Sequence, residues 1–367
     1  MNDPLAVDPA AFRLLDEYRD GFAPAADVPS ELMLGSPQAV EAPFLSVVIP
    51  TCARPRYFRA ALESVLAQED PGVPWDIVVV DNTPVESGCV TPAQAAAEEY
   101  RCPRLLFYRN ARNLGPGGNW NRGVELARGE WITFLHDDDL LCPDALRHVV
   151  RAIGRHAGLK KPLGYIHARR CDFSGSFHAG LARRHDRPFD QELTRTGALV
   201  RGWSQTAAPS CGTTILKKAY VEAGGVNCAF GGTADAVLGY QIMKNYTVLH
   251  SGRTLGGYRW ADNATLHRET LLSLALSDYL FADYRYSLSP GSRLFGALFR
   301  RVQHNRNVKG KIRLARQADI PLAERDFDFI TPFRPSSRLL DLLYRLVSNL
   351  YHQAEKRGRH PLPPEDR

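Results

Sequence analysis

The chain has 367 residues, 44% of them hydrophobic, and a formal net charge of +6. That is enough for one large globular domain or two modest ones, and Lys and Arg are scattered rather than gathered, which argues against a nucleic-acid partner. No stretch approaches the roughly 18 consecutive apolar residues of a membrane span. The N-terminus carries acids where a signal peptide would carry a basic segment, and the seven cysteines form no CxxC pair. The expectation is a cytoplasmic protein with free thiols.

Residues 1–43 hold one short helical pattern around Phe12 and a Pro- and Ala-rich stretch, and read as an arm. Leu45–Pro50 is a β-branched apolar run closed by proline, the pattern of a buried parallel strand. After a turn at Thr51–Pro55, Phe58, Ala61, Leu62, Val65 and Leu66 fall at helical spacing, and Asp76–Val80 is a second strand. A third at Leu105–Tyr108 leads into the glycine-rich NLGPGGNWNRG and a helix through Val124–Ala127, before a fourth at Trp131–Leu135. This alternation predicts an α/β fold, a doubly wound, mostly parallel sheet flanked by helices, with ligands beyond the carboxyl ends of its strands. Residues 157–210 turn irregular, with a candidate strand in YIHARR, and are expected to build the acceptor side. A strand and helix follow in CGTTILKKAYVEAGG, a helix in TADAVLGYQIMK and a strand in TVLH; beyond Leu266 the tail is helical.

The sharpest chemical signal is FLHDDDL, where Asp137, Asp138 and Asp139 directly follow an apolar strand. Hard divalent cations take one or two carboxylates and complete their shell with substrate phosphate oxygens. Other polar residues gather at the neighbouring strand ends: Pro50, Thr51 and Arg54 after the first, Asp81 and Asn82 after the second, Asn113, Gly115 and Asn121 after the third. Asp81 can accept hydrogen bonds from a ribose or base and Arg54 can pair with phosphate. The backbone of Gly115–Gly118 can approach a diphosphate at a helix N-terminus. His136 reads as a strand-end residue and His250 as structural, since neither has a spaced partner for zinc.

SVVIPTCARP, IVVVDN, NLGPGGNWNRG, ARGEWITFLHDDD and a later acidic helix, in this order, resemble glycosyltransferase family 2 over roughly Phe44–Leu266. The resemblance implies a GT-A fold and an inverting, metal-dependent transfer from a nucleoside-diphosphate sugar to a glycan, lipid-linked or small hydroxyl acceptor. It implies that Asp81 contacts the nucleoside, that Asp137 serves the donor, and that Asp138 binds manganese or magnesium. It carries the role of general base onto Asp235, and sets Arg259 and Trp260 on the diphosphate or acceptor side. Two departures stand out: Ala234 where the family often has Glu, and Ala261 where it often has His. The implied layout is an arm (1–43), a catalytic domain (44–266, with a donor half to 140) and a helical extension (267–367).

In the tail, Leu339, Leu342, Leu343, Leu346 and Leu350 form one helical stripe. Packing on the body or making a homodimer is the expectation, with peripheral contact on the inner face of a membrane as the alternative. Two other readings of the chain remain: a non-catalytic nucleotide-sugar-binding scaffold, motivated by Ala234 and Ala261, and a nucleotidyltransferase, which TCARP disfavours because it is not a basic glycine-rich loop.

Overall fold

The computed structural model describes residues 7–15, 17, 20–84, 88–202, 211–260 and 267–363. Eleven strands form one mixed sheet: β1 (Ser30–Leu34), β2 (Leu45–Thr51), β3 (Trp75–Asp81), β4 (Leu105–Asn110), β5 (Trp131–Phe134), β6 (Leu140–Leu141), β7 (Leu163–Phe173), β8 (Phe189–Leu193), β9 (Thr213–Leu216), β10 (Thr247–Arg259) and β11 (Arg359–Pro361). The order is β1-β4-β3-β2-β5-β9-β7-β10-β8-β11, with β6 paired to β10. β4, β3, β2 and β5 run parallel, as their continuous apolar runs predict.

Twelve helices accompany them among the described residues: α1 (Pro9–Arg13), α2 (Pro55–Leu66), α3 (Pro92–Glu98), α4 (Gly115–Leu126), α5 (Ala145–Arg155), α6 (Ala179–Ala182), α7 (Arg195–Arg201), α8 (Lys217–Glu222), α9 (Ala234–Ile242), α10 (Arg268–Ser287), α11 (Pro290–Gln317) and α12 (Arg338–Glu355). Alternate residues of each central strand feed opposite faces. Val47, Ile49, Ile77 and Val79 meet Phe58, Leu62 and Val149 in one core. Val48, Val78 and Val80 meet Val124, Tyr220 and Tyr240 in the other. α4 lies close enough to the sheet that a Cβ on Gly123 would sit 2.4 Å from Val48 Cγ1, so glycine sets that approach.

Four expectations change. The arm is part of the body: β1 pairs antiparallel with β4, and Phe12 packs against Phe230 at 5.1 Å. The helix placed at Val124–Ala127 begins at Gly115, because Pro116 suits a first turn. Within 157–210, β7 holds the strand read in YIHARR, and regular β8 and α7 appear besides it; residues 203–210 and Ala261 lie outside the described residues. The fourth change concerns the leucine stripe. α12 buries Tyr344 against Phe299 and Val302, whereas Leu339, Leu342 and Leu350 are 74%, 54% and 71% exposed. The stripe therefore faces outward and does not pack on the body, because the aromatic side of the helix does.

Candidate active site

The carboxyl ends of β2, β3 and β4 are aligned by register, with Thr51 opposite Asp81 and Asp81 opposite Arg109. β2 pairs with β5 only as far as Val48. Pro50 therefore sits past that ladder, where its missing N–H leaves no strand bond unmade, and contributes a buried wall rather than a polar contact. Thr51 Oγ1 donates to Asp137 Oδ2 at 2.8 Å. Arg54, at the start of α2, donates to Asp138 Oδ2 at 2.8 Å and lies 3.9 Å from Asp137. Thr51, Arg54, Asp137 and Asp138 thus form one cluster, as the sequence suggests.

Asp81 is fully buried and engaged at both oxygens. Its Oδ1 accepts from the N–H and hydroxyl of Thr83 at 2.9 and 2.5 Å, and its Oδ2 from Thr91, the N-cap of α3, at 2.6 Å. Thr83 Oγ1 in turn accepts the N–H of Ala53 at 2.8 Å, holding that residue at φ 54°, a left-handed conformation uncommon for a side chain with a Cβ. Asp81 therefore shapes the turn that presents Arg54.

An amide network that the sequence reading left largely unassigned organises the glycine-rich segment. Asn82 donates to Asn113 Oδ1 at 2.8 Å and accepts from Asn110 at 3.0 Å and the Leu114 N–H at 2.9 Å. Asn110 also donates to Asn119. Asn113 Oδ1 receives the Gly115 N–H at 2.8 Å and the Cys228 sulfur receives the N–H groups of Gly117 and Gly118, so the first-turn donors of α4 are engaged, while a Cβ on Gly115 would meet nothing within 4 Å and the space at its start is open. Asn121 departs from its expected donor-binding role. Its amide donates to Gly21 O and Val226 O and accepts from Tyr220 Oη and the Val226 N–H, all at 2.7–2.8 Å. With both donors and both acceptor lone pairs engaged, nothing remains for a sugar, and the residue ties the arm to the body.

The aspartate run closes as a turn, with the Asp139 N–H on His136 O at 3.2 Å. Burial pushes Asp137 up to about 6, opposed by Thr51 and Arg54 and reinforced by Asp138. Asp138 is also raised, by burial and by Asp139. Burial alone would lower the pKa of His136, but the carboxylates of Asp139, Asp138 and Asp137 raise it; its ring stacks on Trp120 at 5.0 Å.

Asp139 is fully buried. Its Oδ1 accepts the Arg259 N–H at 3.0 Å. Its Oδ2 lies 3.4 Å from His136 Nδ1, and neither that oxygen nor His136 Nε2, both buried, has a hydrogen-bond partner of good geometry among the described residues. Ligand atoms of His136, Asp138 and Asp139 lie within 4.8 Å of one another. The buried, poorly satisfied ligand atoms of His136 and Asp139 beside the Asp138 carboxylate fit a divalent cation. His136 and Asp139 thus join Asp138 as candidate ligands; their i, i+3 spacing across a tight turn is the sequence signal that could have found them.

Arg259 clamps this loop, its Nε donating to Asp138 O at 2.8 Å while the guanidinium lies over Phe173 and Tyr57. Trp260 is held by its N–H on Phe173 O at 2.8 Å. Asp235 opens α9, accepting the Ala236 N–H at 2.6 Å. Burial pushes it up to about 6, lowered in part by that N–H and by His136, and raised further by Asp278. The coupling to His136 sets Asp235 in the same electrostatic field as the aspartate run. Among the described residues, no helix is long and apolar enough to cross a membrane.

Residues 46–220 match the glycosyl transferase family 2 profile. The succinoglycan biosynthesis protein ExoO of Rhizobium meliloti is 44% identical over 90 residues, 24% of each chain. An uncharacterised glycosyltransferase of Methanocaldococcus jannaschii is 33% identical over 110 residues, 29% of this chain and 36% of that one. The chain thus spans about a quarter to a third of the length of these curated relatives. S. aureus TarS, residues 1–349, superposes with a TM-score of 0.48 at 17% identity, covering 84% of this chain and 91% of that one. Residues 46–220, which hold the Thr51–Asp137 and Arg54–Asp138 cluster, are thus the part of the chain that is similar to glycosyltransferase family 2.

Proposed function

We propose that the chain transfers a sugar, with inversion, from a nucleoside-diphosphate sugar to a hydroxyl acceptor. The observation that carries this reading is the pairing of two carboxylate groups: the Asp137–Asp139 turn with its unsatisfied ligand atoms, and Asp235, lifted to about 6 on a separate helix in the same field. Arg54 receives the diphosphate, and the open space at Gly115 allows its approach. Asp235 removes the acceptor hydroxyl proton as that oxygen bonds to the anomeric carbon, and the nucleoside diphosphate leaves with the electron pair of the broken bond. A pKa of about 6 keeps Asp235 ionised at neutral pH while making it a stronger base than an ordinary aspartate. His136, Asp138 and Asp139 would hold a divalent cation, which supplies positive charge for the leaving diphosphate. The likeness to a succinoglycan biosynthesis protein supports a cell-surface polysaccharide as product. Incubation with a panel of nucleotide sugars and manganese or magnesium, following nucleoside diphosphate release with and without chelator, tests the reading; donor binding without turnover over a broad acceptor set would favour a scaffold instead.

The C-terminal helices belong to the same proposal, resting on an anionic lipid surface. Residues 290–360 carry 15 Lys and Arg against 6 Asp and Glu, a net +9 in a chain of net +6. The outward leucines of α12 are bordered by exposed Arg338 and Arg345, and Leu294 and Leu298 of α11 are 64% and 42% exposed. An apolar face with basic flanks is the composition of a helix lying in a membrane interface.

A further inference from the structure

α7, α10, α11 and α12 enclose a cleft of about 480 Å³ that the reaction above does not use. Its walls are aromatic, including Tyr279, Phe281, Tyr286 and Tyr344, and its polar lining is strongly cationic. Asp278 is its one acidic lining residue among those described, and it is already 3.0 Å from Lys311. Arg201 is 2.9 Å from Glu355, and buried Arg285 donates to the carbonyls of Phe281 and Ala198. Arg306, its guanidinium over the Tyr344 ring, and Arg313 have no carboxylate partner among the described residues. His304 is 6% exposed, sits edge-on to Tyr279 at 5.4 Å, and has neither ring nitrogen in a hydrogen bond. Leaving a buried imidazole with both nitrogens unsatisfied is costly unless something fills the space it lines.

The cleft shares a wall with the proposed base. A Cβ on Gly231 would sit 2.7 Å from Ser277 Oγ, and one on Gly232 would sit 2.6 Å from Leu274 Cδ2. The turn that delivers Asp235 is therefore seated on α10, one residue from Asp278 on the cleft side. Asp278 is near enough to raise Asp235. A ligand in the cleft thus lies on the same helix, α10, that seats the turn before Asp235, and touches none of the donor-cluster residues Thr51, Arg54, Asp137 and Asp138.

We infer that this cleft binds a phosphate ester carried by the acceptor, with Arg306 and Arg313, seven residues apart on one face of α11, on the phosphate and His304 and the aromatic walls on the attached chain. The inference rests on the sugar-transfer reading for the word acceptor, but not for the binding itself. Guanidinium groups recognise phosphate through paired N–H donors, and a neutral imidazole can donate one hydrogen bond to a hydroxyl of the attached chain. The volume is within the range of small-molecule sites, about 300–1,000 Å³. The phosphate could belong to a soluble glycan or to a lipid headgroup.

The full chain titrated by NMR with sn-glycerol 3-phosphate, and separately with monomeric dihexanoyl phosphatidic acid, distinguishes the two sources. Arg306 and Arg313 are exposed, so R306Q/R313Q should fold normally. The expected result is binding of at least one probe, weakened tenfold or more in the double variant, with nucleoside diphosphate binding unchanged. Binding of neither probe, or equal binding by wild type and variant, overturns the inference. In turnover, the double variant should raise KM for a phosphorylated acceptor about tenfold at constant kcat; an unchanged KM overturns the acceptor assignment. If no nucleotide sugar is turned over yet glycerol phosphate still binds through Arg306 and Arg313, the transfer reading fails and the cleft stands.

Discussion

Thr51 Oγ1 donates a 2.8 Å hydrogen bond to Asp137 Oδ2 across 86 positions of sequence, so the end of β2 and the loop after β5 share one carboxylate. Asp137 is 8% exposed, and removing its donor leaves a buried acceptor short of a partner. Thr51→Val should lower the unfolding free energy by about 1–3 kcal/mol in urea denaturation. A variant as stable as wild type would show that the bond is not formed in solution.

The cation site separates Asp138 from its neighbours. If the ligands are His136, Asp138 and Asp139, each of His136→Gln, Asp138→Asn and Asp139→Asn should weaken manganese binding on the order of tenfold or more in isothermal titration. Weakening by Asp138→Asn alone would return His136 and Asp139 to purely structural roles.

Asp235 couples activity and stability in opposite directions. As a base with a pKa of about 6, it should support kcat/KM above that pH and lose it as pH falls below. Asp235→Asn should reduce turnover by roughly 10²–10⁴ while keeping donor affinity. Its folded value lies above the ordinary 3.8, so the native state holds the proton longer than the unfolded chain, and native stability falls as pH rises from 3.8 to about 6. The asparagine variant, which cannot ionise, should gain stability relative to wild type over that window. Thermal melts at about pH 4.5 and about pH 7.5 read the difference, and a gap that does not widen with pH contradicts the buried-carboxylate account.

Asn121 should behave as a scaffold residue. Asn121→Ala deletes four hydrogen bonds and strands buried backbone groups, a change expected to cost about 2 kcal/mol or more. Nucleotide-sugar affinity of the folded fraction should be unchanged; a selective loss of affinity at full stability would restore a donor role.

For the leucine face, exposure predicts that Leu342→Gln with Leu346→Gln changes stability by no more than the few tenths of a kcal/mol typical of surface substitutions, read from the melting temperature. Flotation with vesicles containing anionic lipid should lose the variant and retain wild type. Equal flotation, or none by wild type, removes the membrane contact, and a concentration-dependent mass would point to a second copy instead.

Short β-branched runs at Leu45–Pro50 and Asp76–Val80, each ended by a polar residue, made the parallel strands and their functional ends legible, because strand burial and chain reversal are local properties of sequence. The aspartate run was legible for the same reason, as were Thr51 and Arg54 beside it. Local pattern could not distinguish Asn113, which supports the open start of α4, from Asn121, which faces the arm, since their partners lie up to 105 positions away. Nor could it say which side of α12 faces the body: Tyr344 and the leucine stripe are both apolar, and the choice follows from Phe299 and Val302 on α11. What sequence alone determined was the four central strands and the chemistry at their ends. The tertiary structure decided which polar groups are already satisfied and which are left for a ligand, because hydrogen-bond saturation and burial depend on residues that only folding brings together.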